Sequence, residues 1–515
     1  MMLLLDRRDS PGLLVRPRSG RLELGGVYVH RPPTAGGNRV RCGRRTALRE
    51  GETLRDCWRD LAWKLIGCSL AIGDPIGADA GGSVRFTGTA TEPCPTKPAL
   101  SMVDAYTLVL TPNQNGFSGT QRIRTLNPEQ CDAFSDPITL SWVGVRRTRW
   151  AVATVVRVTR ALRVRGVVLP EREHRDLYVV DGRITYEPSA GATDIATGWI
   201  VPGLVDAHCH VGLDSSGAVD EATQEVQALA DRDVGALLLR DCGSAADTRW
   251  IDGRVDLPQL IRAGRHIART RRYIRNYAHE IEPAELPAYV AQEAKRGDGW
   301  VKLVGDWIDR DLGDLAPCWP RGALDDAIAT AHRSGARVTA HVFGEEALPD
   351  LLDAGIDCIE HGTGLSSDLI DVMVTKRIAL VPTAKQLGNF PAYAEAGKSR
   401  FPRYAAHMRA MYERRRETIG AAHEAGVAIY AGTDAGGVLP HGLIAAEVQE
   451  LATYGLSAGR ALGAASWDAR EWLGHPATLD EGEEASFVVY EADPLADLAV
   501  LSAPRRIVLR GRVVG

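Results

Sequence analysis

Lysine is scarce in this 515-residue chain. Lys64, Lys97, Lys295, Lys302, Lys376, Lys385 and Lys398 are all it has, so 54 of its 61 basic residues are arginine (61 − 7). A lysine inside an apolar run therefore stands out. Cysteine is sparse as well: nine residues with no Cys-x-x-Cys pair are too few and too scattered for a disulfide scaffold. A reduced, cytoplasmic setting is the expectation. Long hydrophobic runs are missing, since no window approaches the ~20 uninterrupted apolar residues that cross a bilayer. The apolar stretch from Leu61 to Gly73 is short and is broken by Lys64. The opening Met1-Met-Leu-Leu-Leu-Asp-Arg-Arg brings charge after a handful of apolar residues, so it lacks the apolar core of a signal peptide. Clustered positive charge is missing too. Residues 1–150 carry 21 Arg+Lys against 14 Asp+Glu and the rest 40 against 52, so a net +7 and −12 make up the formal −5. The arginines of the first part are scattered, without a run or interleaved aromatics, which argues against nucleic acid as a partner.

What is present is the balance of an ordinary globular protein, 45% hydrophobic and 25% charged. At about 100–200 residues per domain, the length allows two to four domains or one large barrel with additions. Residues 1–150 are rich in Gly, Pro, Arg and Thr, show no sustained period, and hold Cys42, Cys57, Cys68, Cys94 and Cys131. They read as an extension of unknown structure, either poorly packed and disordered or a small accessory domain. From Ala151 the chain becomes β-rich, over Val152–Val158 and Ala161–Val168. A hairpin follows from Arg175 to Tyr186 with Asp181-Gly182 at its turn. The end matches in style, with Ala485–Tyr490 and Arg506–Val514 as strands. Segments 151–200 and 476–515 are therefore expected to meet as one composite β-sandwich domain.

Between these flanks, short apolar runs alternate with amphipathic helical segments. The runs are Ile200–Val211, Ala236–Arg240, Leu260–Ala268, Trp300–Val304, Arg337–Val342, Ile356–Glu360, Ile378–Pro382 and Val427–Ala431. Eight such runs predict an α/β fold, a (β/α)8 TIM-like barrel over 201–475 with the small β-sandwich built from its flanking segments. Chemistry in that fold sits at the carboxyl ends of the strands. The first run closes on His208-Cys-His210, and in a strand residues two apart share a face, so two imidazoles can share one metal while Cys209 packs behind. The fourth run contains Lys302. A buried ammonium must be neutralised, paired or chemically converted, and pairing with a carboxylate such as Asp306 is one outcome. The fifth closes on His341, the sixth on Glu360-His361, and the eighth leads to Gly432-Thr-Asp434. Any one of these could be a satisfied core residue. Five strands each ending in N or O donors suited to zinc is not what packing alone would arrange.

These pieces resemble the amidohydrolase superfamily, in its binuclear branch with a carboxylated lysine, similar to imidazolonepropionase-like and prolidase-like members. The resemblance covers roughly 152–515. It rests on Pro-Gly-Leu-Val-Asp-Ala-His-Cys-His at 202–210, Val-Lys-Leu at 301–303, Ala-His at 340–341, Glu-His-Gly at 360–362 and Gly-Thr-Asp at 432–434. It implies that His208, His210 and Asp434 bind one divalent ion, most simply zinc, and that His341 and His361 bind a second. Lys302, carboxylated by carbon dioxide, would bridge the two; a single-metal centre is also compatible. A water held between two metals loses its proton near neutral pH, and Asp434 would carry that proton to the leaving nitrogen. The branch often has Ala-Asp opening its last strands, where this chain has Ala485-Ser486, a structural position away from the metals.

Substrate contacts should come from the loops after the strands. Trp307, His441 and Tyr273 are the candidates, with Asp306, Lys385, Gln386, Arg275 and His279 beside them. The expected reaction is hydrolysis of a C–N bond in an N-acyl amino acid, a dipeptide or a cyclic amide. Phosphoester or lactone hydrolysis at the same centre is an alternative, as is an inactive barrel serving as an assembly module. The expected partner is a small molecule, with no membrane; homo-oligomerisation stays open.

Overall fold

Alternating burial from Leu162 onward marks a half-buried sheet, and the computed structural model describes residues 161–515 together with, before them, the backbone of strands between Leu14 and Arg157. Of the stretch expected as an extension, the strands Ser69–Ile72, Val84–Pro93, Ser101–Asn113, Gly116–Thr125 and Ile138–Gly144 form an antiparallel sheet, and Ala151–Arg157, expected to join the composite β-domain, pairs with Ile138–Gly144 in that sheet instead. The chain divides into two units, Met1–Thr159 and Arg160–Gly515.

The second unit opens with β1 (Leu162–Val168), β2 (Glu173–Val180), β3 (Arg183–Thr185) and β4 (Thr193–Pro202). Asp181 and Gly182 join β2 to β3 with φ of 51° and 81°. Positive φ at both positions is what a two-residue hairpin turn requires, which is why Asp-Gly stands there. The barrel follows. It comprises β5 (Leu204–Cys209), β6 (Ala236–Asp241), β7 (Gln259–Arg262), β8 (Ile267–Arg269), β9 (His279–Ile281) and β10 (Trp300–Val304). After a hairpin of β11 (Asp306–Asp309) and β12 (Asp314–Pro317) come β13 (Arg337–Val342), β14 (Cys358–His361) and β15 (Ala379–Val381). The chain ends with β16 (Phe487–Tyr490), β17 (Arg506–Leu509) and β18 (Arg512–Val513).

Both flanks do meet. They form one seven-stranded sheet in the order β3-β2-β1-β4-β16-β17-β18, joined where Trp199 to Pro202 pair antiparallel with Tyr490 to Phe487. Val164, Val168, Leu177, Val179, Ile200, Phe487, Val489 and Val508 pack together on one side. Val201, Val488, Tyr490, Ile507 and Leu509 turn instead into the core of the barrel.

The barrel strands run parallel in two sheets, β5-β6-β7 and β9-β8-β10-β13-β14-β15. Helices alternate with them, such as Glu221–Asp233, capped by Asp220, and Leu286–Arg296. Every residue of β5, β6, β10 and β14 is buried, which explains why these strands read as near-continuous apolar runs. Two runs differ from expectation. The third breaks at Gly264, φ 72°, into β7 and β8: β7 pairs with β6, while Ile267 of β8 pairs with Leu303 of β10. A Cβ at Gly264 would lie 2.5 Å from Glu293, so only glycine fits the bend. The eighth run, Val427–Ala431, forms no strand. It still spans its neighbours, since Ala428 and Ala431 accept from Leu380 and Ala207 while Tyr430 donates back to Leu380. No helix among the described residues is long and apolar enough to cross a membrane.

Candidate metal centre

β5 delivers His208 and His210 to one point. Their Nε2 atoms are 3.3 Å apart, and both face Asp434 Oδ1, at 3.2 and 3.0 Å. Cys209 points away, its Sγ 3.8 Å from the Arg240 carbonyl. Each imidazole is turned by its other nitrogen. His210 Nδ1 donates to the Gly243 carbonyl at 2.9 Å, and His208 Nδ1 meets Glu360 Oε2 at 2.6 Å. These bonds fix the protons on Nδ1 and leave Nε2 as the ligand atom. Asp434 is brought in by Asp206, whose carboxylate accepts from the Thr433 amide and hydroxyl and from the His208 amide. Burial first, and the charge of Asp231 second, push the Asp206 carboxyl up to about 7.

A second group lies beside the first. His341 Nδ1 is 2.9 Å from His361 Nε2, and His361 Nδ1 is 2.7 Å from the Thr383 hydroxyl. The His208 and His361 rings are 5.4 Å apart, so the two groups are neighbours. Burial holds His341 far below the usual histidine range and His361 at about 3. Both are therefore neutral, as a metal ligand must be. For Asp434, burial pushes upward, but the His208 charge and the close approach of His208 and His210 outweigh it, holding the carboxyl well below its ordinary value.

Lys302 is fully buried on β10, and its Nζ has no hydrogen-bond partner. Its charge acts to lower His208, His210, His341 and His361, which puts it within electrostatic reach of all four rings; in His208, burial and this charge are outweighed by the carboxylates of Glu360 and Asp434, and the ring is raised on balance. Asp306 does not pair with it. That carboxylate accepts instead from the amides of Phe343 and Gly344, at 3.0 and 2.6 Å. His208, His210 and Asp434 offer donor atoms all within 4.8 Å of one another, which fits one divalent ion. The orphaned Nζ and the unpartnered His341 Nε2 mark room for more. His361, Thr383 and Asp434 all have φ between 50° and 68°. Left-handed backbone at non-glycine residues costs of order 1 kcal/mol or more each and gathers at functional sites.

Of the expected substrate contacts, two come to this place. The Tyr273 and Trp307 rings are 4.9 Å apart and stand 5.6 and 5.4 Å from His341. His441 does not join them: its Nδ1 binds Asp231 at 2.7 Å, on the helix after β5, and the neighbouring Gly442 amide binds the same carboxylate. Sequence reasoning missed His266, which is buried with neither ring nitrogen partnered and lies 5.0 Å from His210 and 5.2 Å from Tyr273, ring to ring. It falls inside the third run, where only the break at Gly264 shows which way it faces.

The profile of the Amidohydrolase family matches residues 199–514. The chain belongs to this family. As an amidohydrolase it is a hydrolase of C–N bonds, of a class that uses a divalent metal. An uncharacterized protein of Mycobacterium tuberculosis is 56% identical over 368 residues, 71% of this chain and 99% of the relative. The remaining 29% (100 − 71) has no counterpart there. Ochratoxinase of Aspergillus niger is 28% identical over 230 residues, 43% of this chain and 47% of that protein. Among solved structures, a Xaa-Pro dipeptidase with methionine bound in its active site has a TM-score of 0.59 at 22% identity, over 68% of this chain and 99% of that one. At that identity the likeness supports the fold.

Proposed function

We propose that this amidohydrolase cleaves the amide bond of a small N-acyl amino acid, dipeptide or cyclic amide, at the site made by His208, His210, Lys302, His341, His361 and Asp434. The observation that carries the reading is Lys302: a fully buried ammonium with no hydrogen-bond partner, within electrostatic reach of His208, His210, His341 and His361. Left as it is, that charge would cost several kcal/mol. Carboxylation by carbon dioxide removes it and makes an anionic ligand. His208, His210 and Asp434 would then hold one zinc, His341 and His361 a second, and the Lys302 carbamate would join them.

Bound metal supplies an activated water and a polarised substrate carbonyl. The chain does the rest. Asp434 keeps Oδ1 against the two histidines, and Oδ2 is left to take a proton from the attacking water and pass it to the leaving nitrogen. Tyr273 and Trp307 cover the site with apolar surface, which keeps bulk water out and seats the substrate side chain. Neutral His266 offers a hydrogen bond to the substrate's polar end. The named activity of the Xaa-Pro dipeptidase neighbour supports a dipeptide-like substrate. The barrel 201–475, with the composite sheet built from Leu162–Pro202 and Phe487–Val513, forms the working unit in this reading.

Elemental analysis with and without bicarbonate, followed by a screen of N-acyl amino acids, dipeptides and hydantoin-like rings, tests the proposal. About two ions per chain are expected, fewer in Lys302→Ala. No bound metal under any condition, with His208→Ala harmless to every hydrolytic activity found, would overturn it. Turnover confined to phosphoesters or lactones would redirect the substrate class.

A further inference from the structure

Behind His208 lies a charged cluster that the proposed reaction leaves unused. Glu360 and Arg240 are both 0% exposed. Arg240 Nη2 donates to Glu360 Oε1 at 2.7 Å, the Thr339 hydroxyl donates to the same oxygen, and Oε2 faces His208 Nδ1 at 2.6 Å. Arg240 is itself fixed. Its Nε donates to the Ala207 carbonyl at 2.7 Å, and the Trp300 and Trp472 rings lie 4.5 and 4.9 Å from its guanidinium carbon.

Such a pair is not explained by stability, because apolar residues of similar volume usually serve a core as well or better. Its position explains it. A carboxylate on Nδ1 pins the proton there, directs Nε2 and its lone pair into the site, and makes the ring a stronger donor. His210 has only a neutral carbonyl, Gly243 O, in the same role. We infer that Glu360, held by Arg240 and Thr339, is the positioning residue of His208 and sets the affinity of the His208–His210–Asp434 group for a divalent cation. The inference rests on reading that group as a metal site.

The test is a titration of zinc alone, against a competing chromophoric chelator, into the full chain stripped of metal. The visible spectrum of the cobalt-loaded protein serves as a second readout. Glu360→Gln keeps the shape and loses the charge. It should weaken the tighter zinc site about 10- to 100-fold and shift the cobalt bands. Thr339→Val keeps the charge and removes one hydrogen bond, and should weaken that site about 2- to 10-fold. A Glu360→Gln protein that is less heat-stable yet binds zinc as tightly as wild type would overturn the inference. Should Glu360→Gln fail to fold, unchanged zinc affinity in Thr339→Val overturns it instead. A wild-type chain that takes up no zinc or cobalt fails earlier, at the metal reading itself, and removes the inference with it.

Discussion

Around His208, His210 and Asp434 each ring nitrogen has a partner, whereas around His341, His361 and Lys302 two buried polar atoms, Lys302 Nζ and His341 Nε2, have none. The first group is braced from behind by Glu360, Gly243 and Asp206. The second has the Thr383 hydroxyl behind His361, and Asp306 Oδ1 stands no nearer than 3.9 Å to His341 Nε2. A ligand set that is already oriented binds its ion without the entropy of being ordered. The first group should therefore hold metal tightly by itself, while the second, in the reading proposed above, would be completed by carboxylation of Lys302 and by its own ion.

The harshest break is Asp434→Asn, which removes the proposed proton carrier from the braced side; kcat/KM should fall about 10²- to 10⁴-fold on any substrate found. Next, His208→Ala should weaken the tighter zinc by ~100-fold or more, beyond what losing a bracing residue does. His341→Ala should leave that site intact and lose only the weaker ion. Equal losses from the two variants would erase the difference between the groups. Lys302→Met separates them in another way. In chelator it should raise the stability of the metal-free chain by about 1–4 kcal/mol, measured by urea unfolding, while metal content drops. Trp307→Ala, on the cover of the second group, should raise KM about tenfold, or ~1.4 kcal/mol, with metal content unchanged.

The smallest effect is a pH dependence tied to the second group. His407, on the helix Pro402–Glu424, binds Glu345, just after β13, and Asp314 of the Trp307 hairpin, at 2.8 and 3.0 Å. Those bonds, Glu345 first, lift it from 6.5 to about 9. The folded state then holds a proton that the unfolded state releases. The contribution is complete below about 6.5 and is lost as pH rises through about 9. Melting temperatures should fall over that window, and less so in His407→Gln. A wild-type curve as flat as the variant's would show that the latch bears no load.

All six proposed metal-site residues were legible as polar residues in or just beyond apolar runs, because a buried parallel strand leaves few places for polarity. Glu360 was visible in its Glu-His-Gly motif, but not its work: Arg240 and Thr339 reach it from β6 and β13, and cross-strand register is not written in either run. Likewise Gly264 looked like one glycine in a single strand, since the crowding by Glu293 that forces the bend comes from another element. The eighth run had the composition of a strand, yet its bonds to both neighbours are too few to build a ladder. His441 misled because a histidine in a loop after the last strand fits a substrate contact as well as a tie to Asp231.

The seam between β4 and β16 also has a meaning in time. Trp199 and Tyr490 pair directly, but a ribosome working at about 5–20 residues per second makes them tens of seconds apart or nearly so. Through that interval the β4 edge, with Ile200 and Val201 beside it, waits without its neighbour, an open template for another chain. Synthesis of the whole barrel must pass before the small sheet can close. Slowing translation within 204–475 should therefore raise aggregation of this protein more than slowing it after Val513.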